Sequence, residues 1–326
     1  MICLAGRQHS FAQTATELLI TSRSFTQQGD YSNAILVLNK AAQLQPKSLE
    51  VTKALAMNYY LNGDNSKALE IIKTTLDRED ADDQCYQIAG NIYKQLGQVK
   101  ECDKLFRKGI KKFPLSGPMY NELGGLLWQQ QNAEAIRQWE KGIEIDPNYA
   151  KNYFDACKYY YLTEDKVWSI LYGEIFVNME PLSGNAAEVK TILAESYKKL
   201  FINTATENKD KNKFVAAFIE TMSKQSSIAT NGINAESLTM IRARFILDWQ
   251  QDYAAKYPFK LFDLQQQLLE EGMFDAYNQW IFGPAQNLAA YQNWITTHST
   301  DYSEFSRFQK GRIFKLPSAQ YYRYLP

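Results

Sequence analysis

The chain has 326 residues, which is enough for two domains or for one long array of repeats. Lys and Arg together number 36, as do Asp and Glu, so the net charge of zero argues against the general positive charge that binds nucleic-acid backbones. Two His and four Cys are too few for a His-rich metal site or a disulfide framework. No apolar run is long enough for a membrane span. We therefore expect no cofactor, no metal and no membrane span.

Residues 1–13 form an N-terminal tail that we leave out of the fold prediction. A short apolar stretch begins at Ile2, and the small residues Ser10 and Ala12 are spaced as at a signal-peptide cleavage site, but a cationic start and a full apolar region are missing. If the start codon was assigned too late, the tail is a signal-peptide remnant and the protein is periplasmic or secreted. The alternative is an ordinary N-terminal tail, and the protein is then cytoplasmic.

An internal repeat follows the tail. Gly29, Gly63 and Gly97 recur at one constant spacing, each with an aromatic residue four positions earlier and a small residue five positions later. The aromatic residues are Phe25, Tyr59 and Tyr93, and the small ones are Ala34, Ala68 and Cys102. A fourth unit, one residue short at the turn after Gln131, ends at Pro147, and a fifth ends at Pro181. Five units therefore cover residues 14–181.

These residues resemble the tetratricopeptide repeat family, whose unit is a helix–turn–helix of this length. The resemblance implies an all-α fold, a right-handed solenoid of helical hairpins over residues 14–181. Prolines are then expected to stop second helices, at Pro46, Pro114, Pro147 and Pro181. Large side chains are expected to fill the space between hairpins; they are Leu38, Ile72, Phe106 and Trp139. The second helix of repeat five, near Trp168 and Phe176, is unusually apolar, which predicts a docking face for the C-terminal half.

Residues 182–326 predict a second all-helical, aromatic-rich domain, which either continues the solenoid as degenerate repeats or caps it. Apolar residues at helical spacing predict helices over 186–201, 214–224, 235–257 and 286–297, and a hairpin around Gly272 over 261–283. Polar stretches near Asn203 and Ser226 predict loops. From Trp249 onward, aromatic residues are clearly more frequent than the 13% of the whole chain, which indicates either a packed core or an exposed surface for a glycan, peptide or partner.

Residues suited to catalysis are sparse. His298 is the only His outside the tail, and its neighbours Ser299 and Asp301 are too close in sequence for a conventional triad. Cys102 and Cys157 stand where the repeats have Ala, which indicates small core residues. Gly124 and Gly125 lie inside a predicted helix and mark close helix packing, not a phosphate loop. We therefore expect a protein that is not an enzyme.

One predicted second helix carries a basic stripe, formed by Lys104, Arg107, Lys108, Lys111 and Lys112. Second helices of this family face the outer side, so the stripe indicates a solvated face, and we expect no nucleic-acid partner.

The resemblance further implies that the first helices line a concave groove that holds a peptide or helix of a partner protein. The side chains expected there, called the groove residues below, are Lys53, Tyr60, Gln87, Asn91, Lys94, Asn121, Trp128, Phe154, Lys158 and Tyr161. Their amides and aromatic rings suit a peptide of mixed composition. The Lys, Asn and Arg clamp of chaperone-tail binders is not matched, since Leu19, Arg23, Ile88, Pro118 and Glu122 occupy its positions.

These inferences favour a non-catalytic scaffold that mediates protein–protein interaction by binding a partner segment in the groove. The alternative is an extracytoplasmic glycan or small-molecule binding protein that uses the aromatic C-terminal domain. A third hypothesis is an enzyme that acts through carboxylates of the C-terminal half, such as Glu270 and Glu271. For the groove itself, the alternative is that the C-terminal half folds back and fills it, which would leave no room for a partner there.

Overall fold

The computed structural model describes residues 14–163, 165–202, 212–230 and 232–323. The tail over residues 1–13, the turn residue Glu164 of repeat five and most of the predicted loop near Asn203 lie outside this part of the chain. The described residues form 18 helices and no strand, as the all-α prediction requires. The chain divides after Pro114 into two compact units, and this division lies inside the predicted repeat array. The domain boundary predicted at residue 181 stays a prediction.

The first unit contains six helices, which are α1 (Ala15–Gln27), α2 (Tyr31–Leu44), α3 (Leu49–Leu61), α4 (Asn65–Lys73), α5 (Asp83–Gln95) and α6 (Val99–Lys112). The second unit begins with the helices α7 (Gly117–Gln129), α8 (Ala135–Ile145), α9 (Ala150–Leu162), α10 (Lys166–Met179), α11 (Ala186–Ile202) and α12 (Lys213–Ser223). It continues with α13 (Ser226–Ala229), α14 (Ala235–Asp252), α15 (Lys260–Glu270), α16 (Phe274–Gln286), α17 (Leu288–Thr297) and α18 (Ser299–Gly311).

Each predicted repeat is a hairpin of two packed helices, from α1 and α2 through α9 and α10. Three hairpins lie in the first unit and two in the second. The second helices α2, α6, α8 and α10 end two residues before a proline, as expected, because proline has no N–H to continue the helix. In repeat two, where Asp80 replaces the proline, α4 is short, and the hydroxyls of Thr74 and Thr75 donate to carbonyls of its last turn.

The hairpin interiors match the predicted pattern of small and large residues. The small residues Ala34, Ala68 and Cys102 and the large residues Leu38, Ile72, Phe106 and Trp139 are all buried. A Cβ at Gly124 would overlap the indole of Trp139, so only glycine lets that ring approach the helix. Gly125 has open space at the same place, so the close packing predicted there is wrong.

The turn of repeat four has a glutamine where the turns of the first three repeats have a glycine. Gly29, Gly63 and Gly97 have φ of 76°, 85° and 67°, in the left-handed region that favours glycine. Gln131 stands one repeat length after Gly97 and has a φ of 57°. Repeat four therefore keeps the left-handed turn without its glycine, and a side chain in this conformation costs about 1–2 kcal/mol.

The apolar helix α10 is covered by the C-terminal half, as its composition predicted. Its second to thirteenth residues are all buried, between α9 on one side and α11 and α12 on the other. The ring of Phe214 on α12 stacks on Trp168, with ring centroids 6.0 Å apart. Helix α11 also contacts α9, so it lies where the first helix of a sixth hairpin would be. From α7 to α11, each helix packs on the next one in the chain. Among the later helices, α11 packs mainly on α16, so the repeat stacking ends there.

A buried polar network fixes α10 to three later helices. One carboxylate oxygen of Glu174 accepts hydrogen bonds from Tyr277 (2.7 Å) and Gln265 (2.6 Å) and from the guanidinium of Arg242. Arg242 also donates to Asn278. All five side chains are buried, so the ion pair between Glu174 and Arg242 is shielded from water.

The predicted C-terminal helices are present with small changes. The helix predicted to reach residue 257 ends at Asp252, because the chain turns before Pro258, and the residue preceding a proline disfavours helix. The stretch near Ser226 contains the short helix α13, so the loop prediction is wrong there. Helix α18 lies within the region predicted to be helical, and Phe305 is its only buried residue.

Several aromatic side chains from Trp249 onward pack in one core with aromatic residues of earlier helices. The rings of Phe245, Trp249 and Phe262 lie around Phe214 and Phe218, with Phe259 and Tyr322 close by, and all are buried. The packed-core interpretation is therefore confirmed for this cluster, and the exposed-surface interpretation is wrong for it.

The residues after α18 form an extended C-terminal strap, residues 312–323. The backbone of Leu316 exchanges hydrogen bonds with the side-chain amide of Asn148 at 3.0 and 3.3 Å. The guanidinium of Arg323 donates to the buried carboxylate of Glu140 at 2.9 Å. The strap thus joins the end of the described chain to the loop and second helix of repeat four.

Replacing Gln131 by glycine tests the turn of repeat four. Gln131→Gly is expected to raise the free energy of unfolding by about 1 kcal/mol, because relief of the left-handed conformation exceeds the added entropy of the unfolded glycine. The matched change Gly97→Gln, where a Cβ meets no atom within 4 Å, is expected to lower it by about 1 kcal/mol. Urea unfolding followed by circular dichroism measures the free energy of unfolding of both variants. If the two changes raise it equally or lower it equally, the explanation from the left-handed turn is wrong.

Replacing Glu174 tests the buried network. Glu174→Gln is expected to lower the free energy of unfolding by about 3–5 kcal/mol, because it leaves the guanidinium of Arg242 buried without a counter-charge. Glu144→Gln, which removes an exposed carboxylate paired with Lys141, is the control and is expected to cost under about 1 kcal/mol. In the double variant Glu174→Leu, Arg242→Met, the cost should be below the sum of the single changes; additive costs in urea unfolding would count against a coupled pair.

Candidate functional site

All ten groove residues lie on first helices of the predicted hairpins, five in each unit. In the first unit, Lys53 and Tyr60 lie on α3, and Gln87, Asn91 and Lys94 lie on α5. In the second unit, Asn121 and Trp128 lie on α7, and Phe154, Lys158 and Tyr161 lie on α9. Their common facing toward a ligand stays a prediction. The burial of each side chain shows which groove residues expose surface to solvent and which do not.

In the first unit, Lys53 is engaged within the protein. Its ammonium group lies 2.7 Å from Glu50 and 2.5 Å from Asp82, and its side chain is only 6% exposed. Burial opposes the charge, but hydrogen bonds to both carboxylates outweigh burial and raise the pKa of Lys53. Lys53 therefore has little surface to offer a ligand. The other four groove residues of this unit are half-buried; they are Tyr60, Gln87, Asn91 and Lys94.

In the second unit, two of the groove residues are buried. The amide of Asn121 donates to the carboxylate of Asp155 at 2.7 Å, and burial raises the pKa of Asp155. Phe154 packs on Phe176 with ring centroids 5.2 Å apart. Both side chains serve the contacts between helices and contribute little surface.

Trp128 is the most exposed groove residue. Its side chain is 42% exposed, and its ring rests edge-on against Tyr159 at 5.6 Å between centroids. An aromatic ring held in place by a second ring and open to solvent is suited to contacts with a partner.

Lys158 and Tyr161 lie at the wall of a cavity of about 450 Å³ between α9 and α11. The remaining lining residues are Leu162, Glu188, Thr191 and Ile192. Leu162 and Ile192 give the cavity apolar walls, and Leu162 is 67% exposed. A cavity of this size with apolar walls and a few polar groups matches the usual form of a binding site.

The polar rim of this cavity is held by two contacts across the helices. The ammonium group of Lys158 lies 2.7 Å from the carboxylate of Glu188, and both side chains are almost half exposed. The ammonium group of Lys199 lies 4.3 Å from the ring centroid of Tyr161. Exposed ion pairs contribute little to stability, so Lys158 and Glu188 can exchange partners at small cost.

Glu188, Thr191 and Ile192 are absent from the sites predicted from sequence. They lie on α11, which follows the last recognisable repeat and contains no glycine. A continued repeat pattern would have predicted that α11 packs beside α9 like a further first helix. The sequence does not show that pattern after residue 181.

The other candidates behave as structural residues. In the basic stripe of α6, Arg107 pairs with Asp103 at 2.9 Å and Lys108 with Asp77 at 2.6 Å, as expected of a solvated face. His298 is exposed between α17 and α18, where its ring stacks on Trp294. Cys85, Cys102 and Cys157 are buried free thiols, and burial raises the pKa of Cys157 to about 12. In the described part of the chain, no cluster of three metal-ligating side chains occurs.

No helix within the described ranges is both long enough and apolar enough to cross a membrane.

The strap ends near a buried carboxylate, that of Asp165 at the start of α10. The guanidinium of Arg323 lies 3.7 Å from it, but burial dominates and raises the pKa of Asp165 to about 6. The raised pKa means that the folded protein favours the neutral carboxyl group more than the unfolded chain does.

The stability of the fold should therefore depend on pH through Asp165. Its contribution is fully present below pH 3.8, the unfolded value, and is lost as the pH rises through about 6. Asp165→Asn removes the ionisation, so the variant should gain up to about 3 kcal/mol relative to wild type between pH 4 and pH 7. Urea unfolding at each pH measures this difference.

Glu180→Gln, which changes an exposed carboxylate at the other end of α10, serves as the control for Asp165. A gain from Asp165→Asn that is the same at pH 4 and pH 7 would show that Asp165 does not titrate in this range.

Comparison with known proteins places the repeats in context. The family model described as anaphase-promoting complex, cyclosome, subunit 3 matches residues 27–109. The chain is similar to a thermophilic tetratricopeptide-repeat protein from Thermus thermophilus, at 13% identity and a TM-score of 0.46, over 56% of this chain and 99% of that one. No curated protein matches the sequence.

Two further solved structures are similar over nearly the same share of the chain. PilF of Pseudomonas aeruginosa has 17% identity and a TM-score of 0.47, over 57% of this chain and 85% of that one. MamA of Desulfovibrio magneticus has 15% identity and a TM-score of 0.38, over 58% of this chain and 98% of that one.

Proposed function

We propose that this chain of repeated helical hairpins is a non-catalytic scaffold that binds a segment of a partner protein on its first helices. The observation that carries the proposal is the cavity between α9 and α11. We call this cavity, lined by Lys158, Tyr161, Leu162, Glu188, Thr191 and Ile192, the α9–α11 cavity. It provides an apolar recess on the helices that the family uses for recognition.

The chemistry of the α9–α11 cavity indicates which kind of segment it would take. The exposed Leu162 and the buried Ile192 suit one apolar side chain of a peptide. The ammonium group of Lys158 and the carboxylate of Glu188 lie at the rim, where they can bind backbone carbonyl and N–H groups on either side of that apolar residue. The proposed partner is thus a protein segment with an apolar residue between polar ones.

Trp128 extends the proposed surface along α7. Its ring is held by Tyr159 on α9, so both helices present aromatic or apolar groups to solvent. A partner segment that begins in the α9–α11 cavity and continues toward α7 would cover this ring, and burial of a fixed aromatic ring contributes strongly to affinity.

The strap leaves this surface available in the proposal. Leu316 binds at the loop that precedes α9, and Arg323 binds Glu140 and Asp165 on α8 and before α10. The α9–α11 cavity remains open to solvent with the strap in place. The proposal therefore does not require the C-terminal half to detach before a partner binds.

Selection from random peptides tests the proposal without a named partner. A displayed library of random peptides is selected on the full chain, and the affinity of each enriched peptide is measured by fluorescence anisotropy. The change Thr191→Arg fills the cavity from α11 and is expected to weaken these peptides at least tenfold, about 1.4 kcal/mol.

The control is Thr296→Arg on α17. Thr191 and Thr296 are both exposed, and the hydroxyl of each donates to the carbonyl four residues earlier, so the two changes perturb their helices alike. Peptide affinity should stay within about twofold in the control. Absence of any enriched peptide, or equal binding to Thr191→Arg and wild type, would refute the proposed site.

A further inference from the structure

A second cavity, of about 480 Å³, lies between α15, α18 and the first residues of the strap. It is called the strap cavity here and is lined by Lys260, Leu264, Arg307, Phe308, Arg312 and Phe314, among others. Three of these six side chains are cations, and none is a carboxylate. The rest are apolar, so the wall combines positive charge with a surface suited to hydrocarbon.

Arg312 is the central group of the strap cavity. Its guanidinium lies 5.4 Å and 5.5 Å from the ring centroids of Phe308 and Phe314. Its Nη2 donates to the side-chain oxygens of Asn178 at 2.8 Å and Gln309 at 2.6 Å, both neutral amides. The aromatic rings and these two bonds hold the guanidinium in a fixed position.

Several buried donors at this place lack acceptors. Nε and Nη1 of Arg312 and Nε2 of Gln309 are buried and have no hydrogen-bond partner among the described residues. Native structures rarely leave buried donors unsatisfied, and three in neighbouring side chains indicate a missing acceptor. An acceptor of several lone pairs, such as an anion, would satisfy them together.

The charge of Arg312 is also uncompensated. Asn178 connects it to Tyr277, which donates to Glu174, but that carboxylate already forms the ion pair with Arg242. This network therefore joins the buried guanidinium group of Arg242 and the half-buried one of Arg312 to a single carboxylate. Burial lowers the pKa of Arg312, whereas the pKa of Arg242 is raised in spite of burial because Glu174 lies against it. A partly buried charge without a counter-charge is unfavourable, so this network lacks one negative charge.

We propose that the strap cavity binds an organic anion in which a carboxylate is joined to an apolar body. The carboxylate binds the unsatisfied donors Nε and Nη1 of Arg312, which lines the cavity. The apolar body lies against Leu264, Phe308 and Phe314, toward the cavity edge at Ile313, whose side chain is 82% exposed. Lys260 and Arg307 lie at the solvent side and attract the anion to the cavity.

A carboxylate suits this cavity better than a phosphate dianion. The network around Arg312 is short of a single negative charge, and the apolar side chains of Leu264, Phe308 and Phe314 line the cavity beside it. A small hydrophilic anion would leave those apolar walls in contact with water, whereas a carboxylate with an apolar body would cover them.

Titration calorimetry on the full chain tests the proposal with three probes. Sodium octanoate carries both features, 1-octanol has the apolar body without the charge, and inorganic phosphate has the charge without the apolar body. Octanoate is expected to bind with one site per chain and at least tenfold more tightly than either other probe. Equal binding of 1-octanol, tighter binding of phosphate, or no binding of octanoate at millimolar concentration would overturn the proposal.

Two variants locate the site. Arg312→Met keeps much of the side-chain volume and removes the charge, so octanoate should bind at least tenfold more weakly while 1-octanol is unaffected. Lys310→Met removes an exposed cation from the same helix region outside the cavity and should change octanoate affinity less than twofold. Octanoate binding that survives Arg312→Met unchanged would overturn the site. If Arg312→Met does not fold by circular dichroism, the comparison of the three probes on wild type decides alone.

Discussion

A single carboxylate, that of Glu174, organises the second unit. Helix α10 is buried on nearly every face, so a charge at its centre must find its partners inside the protein. It finds them on α14, α15 and α16, through Arg242, Gln265 and Tyr277. Hydrogen bonds are directional, whereas the apolar contacts around them are not, so these bonds fix how the later helices are rotated against α10.

The proposed peptide site depends on this arrangement indirectly. Helix α11 forms one wall of the α9–α11 cavity, and its position is set by α10 on one side and α16 on the other. Because Tyr277 binds Glu174, the same network holds α16, the helix against which α11 packs. Recognition and stability thus use different residues of the same group of helices.

The two cavities of the second unit differ in chemistry, and the difference follows from how their charges are paired. At the α9–α11 cavity, Lys158 and Glu188 balance each other and remain accessible to water, so the site is neutral and adaptable. At the strap cavity, Arg312 is half-buried without a counter-charge and its orientation is fixed by two aromatic rings. The first suits a peptide of mixed composition, and the second suits an anion.

The sequence by itself determined the repeats. Glycine at the turns, Ala or Cys at the crossing and proline after the second helix are local requirements, so Gly29, Ala34 and Pro46 could be interpreted from their spacing alone. The apolar pattern also predicted most C-terminal helices and the burial of α10. Where local signals were weak or unusual, the prediction failed. Gln131 adopts the turn of a glycine, and the polar stretch near Ser226 contains α13.

Only the tertiary structure decided which helices meet and which polar groups face one another. The bonds from Glu174 to Arg242 and Tyr277 join residues 68 and 103 positions apart, and no periodic pattern connects them. The burial of Lys53 by Asp82 and the pairing of Lys158 with Glu188 are likewise contacts between distant positions. Sequence periodicity records which face of a helix is apolar, but the partner of a buried charge depends on packing between distant segments, which periodicity does not encode.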